Sequence, residues 1–191
     1  MKDISTIIRN RRAIKPKAMK EGSVVPKEVI IEVLENAIWA PNHGKTEPWH
    51  FLVYTGNALK HFCGLHADVY KQGAGDKFND AKYNALANWY KTVGCMIVVL
   101  HRRSSQSRIR ENEEREAVAC AVQNMWLTVE AYNYAGMWAT GGGTYMPEIT
   151  EILPMEPNDN LMGFFLIGER SVDGVPGIRK PLNEKVSWME E

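Results

Sequence analysis

The sequence predicts a three-layer α/β or α+β sheet domain, and three observations carry that reading. Two uninterrupted apolar runs of strand length, residues 95–100 and 161–167, have the character of strands covered on both faces. A segment from 111 to about 134 keeps a helical period and is apolar over a wide face, so it is central or lies in a subunit interface. Helical segments outnumber strands and are interleaved with them, which indicates a sheet with helices packed on it.

Residues 3–10 predict a short helix: Ile4, Ile7 and Ile8 share a face, and Asp3 stands where a cap belongs. This helix delivers Arg9, Arg11, Arg12 and Lys15 within a few residues. Such a basic end either suits the negative pole of the helix or clamps an anion. A polar connection follows, and Pro26 opens the next helix, since its missing N–H costs nothing at the first helical position. Val29, Ile30, Val33, Leu34, Ala37 and Ile38 keep the 3.6-residue period until Pro41 ends it.

The stretch 40–51 holds two prolines, a glycine and several polar residues, and runs directly into an aromatic strand at 49–54. A loop of that composition on a rigid scaffold is where ligand contacts are presented. Residues 55–57 read as a turn, 58–69 as a helix, 72–76 as a glycine-hinged break and 81–90 as a second helix. After a basic stretch, Glu111, Glu113 and Glu114 suit the positive end of the long helix, which the glycine at 136 would stop. A short strand at 137–139, the run Thr140-Gly141-Gly142-Gly143-Thr144 and a short helix at 147–153 come next. Residues 168–191 carry neither period and predict an extended tail.

At 191 residues a single domain spanning 1–191 is expected, long enough to bury roughly 70% of its unfolded surface. The formal net charge is zero, which removes any charge-based argument for nucleic acid or a membrane surface as partner. No apolar run is long enough to span a bilayer, and the N-terminus has no signal-type core. Three cysteines at unrelated spacings argue against a disulfide framework and for a reducing, cytoplasmic setting. Cys63, Cys95 and Cys120 are expected to be core thiols. Six tryptophans and nine methionines either fill the core or line a pocket for a flat ring.

Cys63-x-x-His66 with His61 nearby lacks a second pair at ligand spacing, so no metal site is expected. The triple glycine is not a dinucleotide fingerprint, and no lysine follows it in the P-loop manner. It is a flexible turn or a place where backbone comes very close to a ligand.

Taken together, Arg11-Arg12-Ala13-Ile14-Lys15, the helix ending in Ala40-Pro41, the Pro48-Trp49-His50-Phe51 strand entry, residues 140–144, Gly168-Glu169-Arg170 and Arg179-Lys180-Pro181-Leu182 resemble the nitroreductase family of FMN-dependent oxidoreductases, in its compact members. The resemblance covers almost the whole chain. It implies an α+β sandwich with a mostly antiparallel central sheet, and a homodimer with FMN at the interface. By position, Arg11 would meet the FMN phosphate, Arg12 and Ala13 would lie along the flavin, and Lys15 would sit near its N1–C2=O edge. His43 and its neighbours in the loop, Lys45 and Glu47 among them, would approach from the partner subunit. Thr140, Gly141 and Gly142 would bring backbone close to the ring, and Arg179 with Lys180 would complete the phosphate site.

Two departures bear on these contacts. Ala13 stands where many members have serine, and Lys45-Thr46-Glu47 where many have Asn-x-Gln, so an ionised Glu47 cannot donate a hydrogen bond there. The activity implied is hydride transfer from NAD(P)H through flavin N5 to a small acceptor such as a nitroaromatic or quinone, with segment 70–92 shaping the acceptor pocket. The alternatives are a non-catalytic flavin carrier or sensor, or a flavin-dependent dehalogenase or desaturase.

Overall fold

The computed structural model describes residues 3–105, 108–171 and 176–190. Its centre is a sheet of four described strands: β1 (Trp49–Thr55), β2 (Cys95–His101), β3 (Tyr134–Ala139) and β4 (Asn160–Glu169). They run in the order β1-β2-β4-β3, and each neighbouring pair is antiparallel. Strand periodicity sends Met96, Val98 and Leu100 of β2 into one layer and Cys95, Ile97 and Val99 into the other. β4 does the same with Phe164 and Leu166 against Phe165 and Ile167. Both strands are therefore apolar without alternation, because both faces are covered.

The covering helices are α1 (Ile4–Asn10), α2 (Lys27–Ile38), α3 (Gly56–Gly73), α4 (Asp80–Ala87) and α5 (Glu111–Ala131). On one side Leu59, Phe62 and Cys63 of α3 join Met96, Val98 and Phe164. On the other, Val33 and Ala37 of α2 and Val118, Val122 and Met125 of α5 join Ile97, Val99 and Phe165. The fold is thus a three-layer α+β sandwich. α4 adds a small satellite, Leu86 packing with Ala67 and Tyr70 of α3.

Two polar devices fix the frame around the site. Asp3 caps α1, accepting from the Thr6 amide at 3.1 Å and from its hydroxyl at 2.6 Å. The buried Glu114 ties the first turn of α5 to the end of β2: it meets His101 Nε2 at 3.3 Å, the Ser104 amide at 3.3 Å and the Arg103 guanidinium. A buried carboxylate survives because its oxygens are partnered in this way.

The elements differ from the sequence expectation at their ends. α5 stops at Ala131, and the reversal is made by Asn133 in the left-handed region (φ 60°), so Gly136 lies inside β3. Asparagine tolerates that region, and its small polar side chain gave no glycine-like signal. Residues 55–57 do not form a separate turn: Thr55 ends β1 and α3 begins at Gly56. The second helix of that region closes at Ala87 and is followed by a 3₁₀ turn at Trp89–Lys91. Residues Pro147–Glu151 are likewise 3₁₀. Cys120 is exposed, whereas Cys63 and Cys95 are buried. The inward stripe of α5 passes through Ala117, Val118, Ala121 and Val122 and leaves position 120 outside it.

Candidate functional site

After α1 the chain runs beside the first residues of β3. Ala13 bridges Gly136 in parallel, the Ile14 amide donates to the Gly136 carbonyl at 3.0 Å, and Trp126 Nε1 donates to the Arg12 carbonyl at 3.1 Å. Ile14 is buried while Ala13 and Lys15 are exposed, as alternation along an extended segment requires. Gly136 has no Cβ because one would press on Trp126 and Val129 at 3.1 Å.

At the near end of this segment three arginines converge. The Arg11 guanidinium lies 4.4 Å from the centre of the Trp126 ring. Burial first, then the charges of Arg12 and Arg179, lower its pKa from the ordinary arginine value, and Glu130 opposes them. Glu130 is itself paired with Arg170, so its charge is largely spent. Arg12 donates to the Arg9 carbonyl at 2.6 Å and the Arg11 carbonyl at 2.7 Å. A Cβ on Gly177 would collide with the Arg12 guanidinium, so the C-terminal segment lies directly against it. Lys180 is turned aside toward Glu184 at 3.7 Å. Like charges gathered in this way are stabilised by an anion among them.

At the other end Lys15 joins the wall of a cavity of about 850 Å³. That is ample for a small ligand or a planar cofactor ring. The end of β3 and the glycine run, residues 137–142, line it together with Lys82, Trp89 and Lys91. The Trp138 ring itself packs on the other face of the sheet and donates to the Met162 carbonyl at 2.9 Å. Four residues of extended chain span at most about 13 Å, so a ligand with an anionic end and a flat end could lie along residues 11–15.

The glycine run divides its labour. Gly142 has φ +66°, and a Cβ there would stand 2.8 Å from His66 Nε2; one on Gly143 would stand 2.5 Å from Val69. The Gly143 amide donates to His66 Nε2 at 3.1 Å, and Thr144 Oγ1 donates to the Gly141 carbonyl at 2.7 Å. Gly141 alone faces open space, with nothing within 4 Å of a built Cβ. Gly142 and Gly143 therefore let the loop pack on α3, and Gly141 leaves open space beside the cavity. Gly141→Ala is expected to leave stability within about 0.5 kcal/mol. Gly142→Ala should instead cost more than about 1 kcal/mol. Denaturant titration on both variants checks this.

His66, which spacing offered only as half of a Cys63-x-x-His66 pair, has another place here. It is fully buried, packed against Phe62, Phe164 and Trp89. Because a backbone N–H can only donate, Nε2 is the bare nitrogen and the ring proton sits on Nδ1. Nδ1 has no hydrogen-bond partner among the described residues. Burial, aided by Lys82, pushes the pKa down to about 4. Lys82, Trp89 and Lys91 lie in the segment 70–92 expected to shape a pocket, but none of them was assigned individually from sequence.

The loop of His43, Lys45 and Glu47 lies elsewhere. His43 Nδ1 meets Glu113 Oε2 at 2.8 Å, and the Glu47 amide donates to Asn42 Oδ1 at 3.1 Å. Lys45 (φ 54°) and Glu47 (φ 44°) both take left-handed backbone, so the loop is tightly formed. Glu113 and Trp126 belong to one straight helix and stand about 20 Å apart along it. Within one chain this loop is not brought to the arginines. Among the described residues, no group of three or more His, Cys, Asp or Glu could hold a metal, and no helix is long and apolar enough to cross a membrane.

The model of the Nitroreductase family matches residues 8–169. The chain belongs to the nitroreductase family. The Escherichia coli K12 protein YdjA, named as a proposed NAD(P)H nitroreductase, is 25% identical over 155 residues, covering 81% of this chain and 82% of its own. A nitroreductase-like family protein from Bacillus cereus superposes with a TM-score of 0.82 at 24% identity, covering 100% of this chain and 98% of its own. A structure from Desulfovibrio desulfuricans, solved in complex with FMN, gives a TM-score of 0.76 at 21% identity over 100% and 99% of the two chains.

Proposed function

We propose that this chain is an FMN-dependent oxidoreductase that takes two electrons from NAD(P)H and gives them to a small nitroaromatic or quinone. The observation that carries the reading is the pairing of one arginine cluster, Arg11, Arg12 and Arg179, with a glycine-walled cavity at the other end of residues 11–15. The residues fit FMN in kind: an anion site for the phosphate, a glycine with open space beside a flat cavity, and the Lys15 ammonium on the cavity wall. Bound FMN supplies hydride transfer through N5, which no side chain here can perform.

The chain's own groups bind and orient. Arg11 and Arg179 would hold the phosphate, Arg12 would fix the backbone between them, and Thr140, Gly141 and Gly142 would admit the ring edge. Lys15 would offer a positive charge toward the N1–C2=O side. The Trp89 ring would exclude water from the face that donor and acceptor share in turn. The net reaction is NAD(P)H + H⁺ + ArNO₂ → NAD(P)⁺ + ArNO + H₂O, or the reduction of a quinone to its hydroquinone.

The reading includes a homodimer in which His43, Lys45 and Glu47 of a second copy approach the flavin, one such domain over 1–191 per chain. Exposed apolar side chains on the C-terminal segment, Ile178, Leu182, Trp188 and Met189, favour association. Titrating the purified protein with FMN and assaying NAD(P)H oxidation with nitrobenzene or benzoquinone tests it. Turnover with bound yellow flavin is expected. Flavin that binds but is not bleached by NAD(P)H would leave a carrier or sensor, and failure to bind FMN would remove the proposal.

A further inference from the structure

The cavity wall is more basic than the chain that builds it. Among its lining residues Lys15, Lys17, Lys82 and Lys91 face a single acidic group, Glu21, although the whole chain has a net charge of zero. Two lysines outside the cavity are ion-paired, Lys20 with Glu169 at 2.8 Å and Lys180 with Glu184 at 3.7 Å. Among the described residues the four cavity lysines have no carboxylate within ion-pairing distance. Lys82 is held over the Tyr70 ring at 4.4 Å, a contact that leaves its positive charge uncompensated. Trp89 stands among these charges and, with Leu86 and Met137, gives the interior an apolar part.

We propose that the acceptor is an aromatic nitro compound or quinone carrying an anionic substituent, a carboxylate above all, with its ring against Trp89 and its anion toward Lys82 and Lys91. This rests on the oxidoreductase reading and deepens it. Lys15 belongs to the flavin side of the cavity, so the lysines on and after α4 are those left for the acceptor. The electron balance is unchanged: two electrons and two protons convert the nitro group to nitroso and water, and the carboxylate takes no part. Because the four lysines are exposed, their attraction acts through solvent. It serves capture rather than chemistry, so the preference falls on KM and weakens with salt.

The same basic wall could serve the phosphates of the nicotinamide donor, and the experiment separates the two. The FMN-loaded protein is assayed with nitrobenzene and with 4-nitrobenzoate at fixed NADPH, at low and high salt. The wild type should favour 4-nitrobenzoate about tenfold in kcat/KM at low salt, with the ratio falling toward one at high salt. In Lys82→Gln/Lys91→Gln the ratio should fall toward one at either salt. Direct binding gives a readout free of turnover: 4-nitrobenzoate should quench tryptophan emission at about tenfold lower concentration than nitrobenzene. Equal ratios and equal quenching in the wild type overturn the proposal. So does a double variant that loses donor affinity but keeps the acceptor ratio, which would assign the lysines to the donor. If nitrobenzene itself is not reduced by protein with bound FMN, the oxidoreductase reading fails and the acceptor assignment fails with it.

Discussion

Arg11→Ala is expected to raise the Kd for FMN ten- to hundredfold while leaving the protein folded. A hydrogen bond to a charged group contributes about 1.5–3 kcal/mol, and each 1.4 kcal/mol is tenfold in affinity. Arg11 should sit at the upper end of that range because it is already ordered. Its guanidinium rests on Trp126, and little side-chain freedom remains to be lost when an anion arrives. The cost to stability should be small for a related reason: losing the ring contact removes about 0.5–1 kcal/mol, but it also relieves the repulsion from Arg12 and Arg179 that already lowers the Arg11 pKa.

Arg179→Ala should weaken FMN in the same way, although it is far away in sequence. Arg115→Ala should not, since Arg115 is engaged with Glu111 at 2.7 Å near the opposite end of α5. Flavin fluorescence titration at two salt concentrations measures all three. The wild-type affinity should fall with salt more steeply than that of Arg11→Ala. An unchanged Kd in Arg11→Ala would remove the phosphate assignment.

What could be read in the chain beforehand follows from how local each signal is. β2 and β4 were legible because a strand covered on both faces is apolar at every residue, whatever the rest of the fold does. The end of α5 was not, because Tyr132 and Tyr134 prolong the helical pattern and the turn is made by Asn133 rather than glycine. In the site, Lys15 and Thr140 to Gly142 were legible and do line one cavity. Segment 70–92 was expected to shape the pocket and does supply Lys82, Trp89 and Lys91. Which of its residues would turn inward was not legible, because α4 has no clear apolar stripe. His66 looked like half of a metal pair. Its role depends on Gly143, which lies 77 residues away and meets it only in the folded chain.

That contact leads to the second large effect, a loss of stability in mild acid that His66 sets and His66→Gln removes. The folded ring has a pKa of about 4 against an ordinary 6.5. Above pH 6.5 neither the folded nor the unfolded chain carries a proton there, and the contribution to stability is complete. Between 6.5 and about 4 the unfolded chain takes up a proton that the folded chain refuses, so stability falls as pH falls. The loss approaches roughly 3 kcal/mol once both forms are protonated. Glutamine can still accept from the Gly143 amide but does not titrate. At pH 7 it should cost about 1–2 kcal/mol through the lost ring packing. Near pH 4.5 that difference should vanish or reverse.

Glu113 and Glu169 also have lowered pKa values, from a His43 hydrogen bond and a Lys20 hydrogen bond, but both remain in each protein and cancel in the comparison. Urea denaturation at the two pH values reads the crossing. Bound flavin should report it as well, because a protonated His66 can no longer accept from Gly143 and the loop that walls the cavity loses its hold on α3. Parallel pH dependence in the two proteins would mean that the buried imidazole is not the group that titrates.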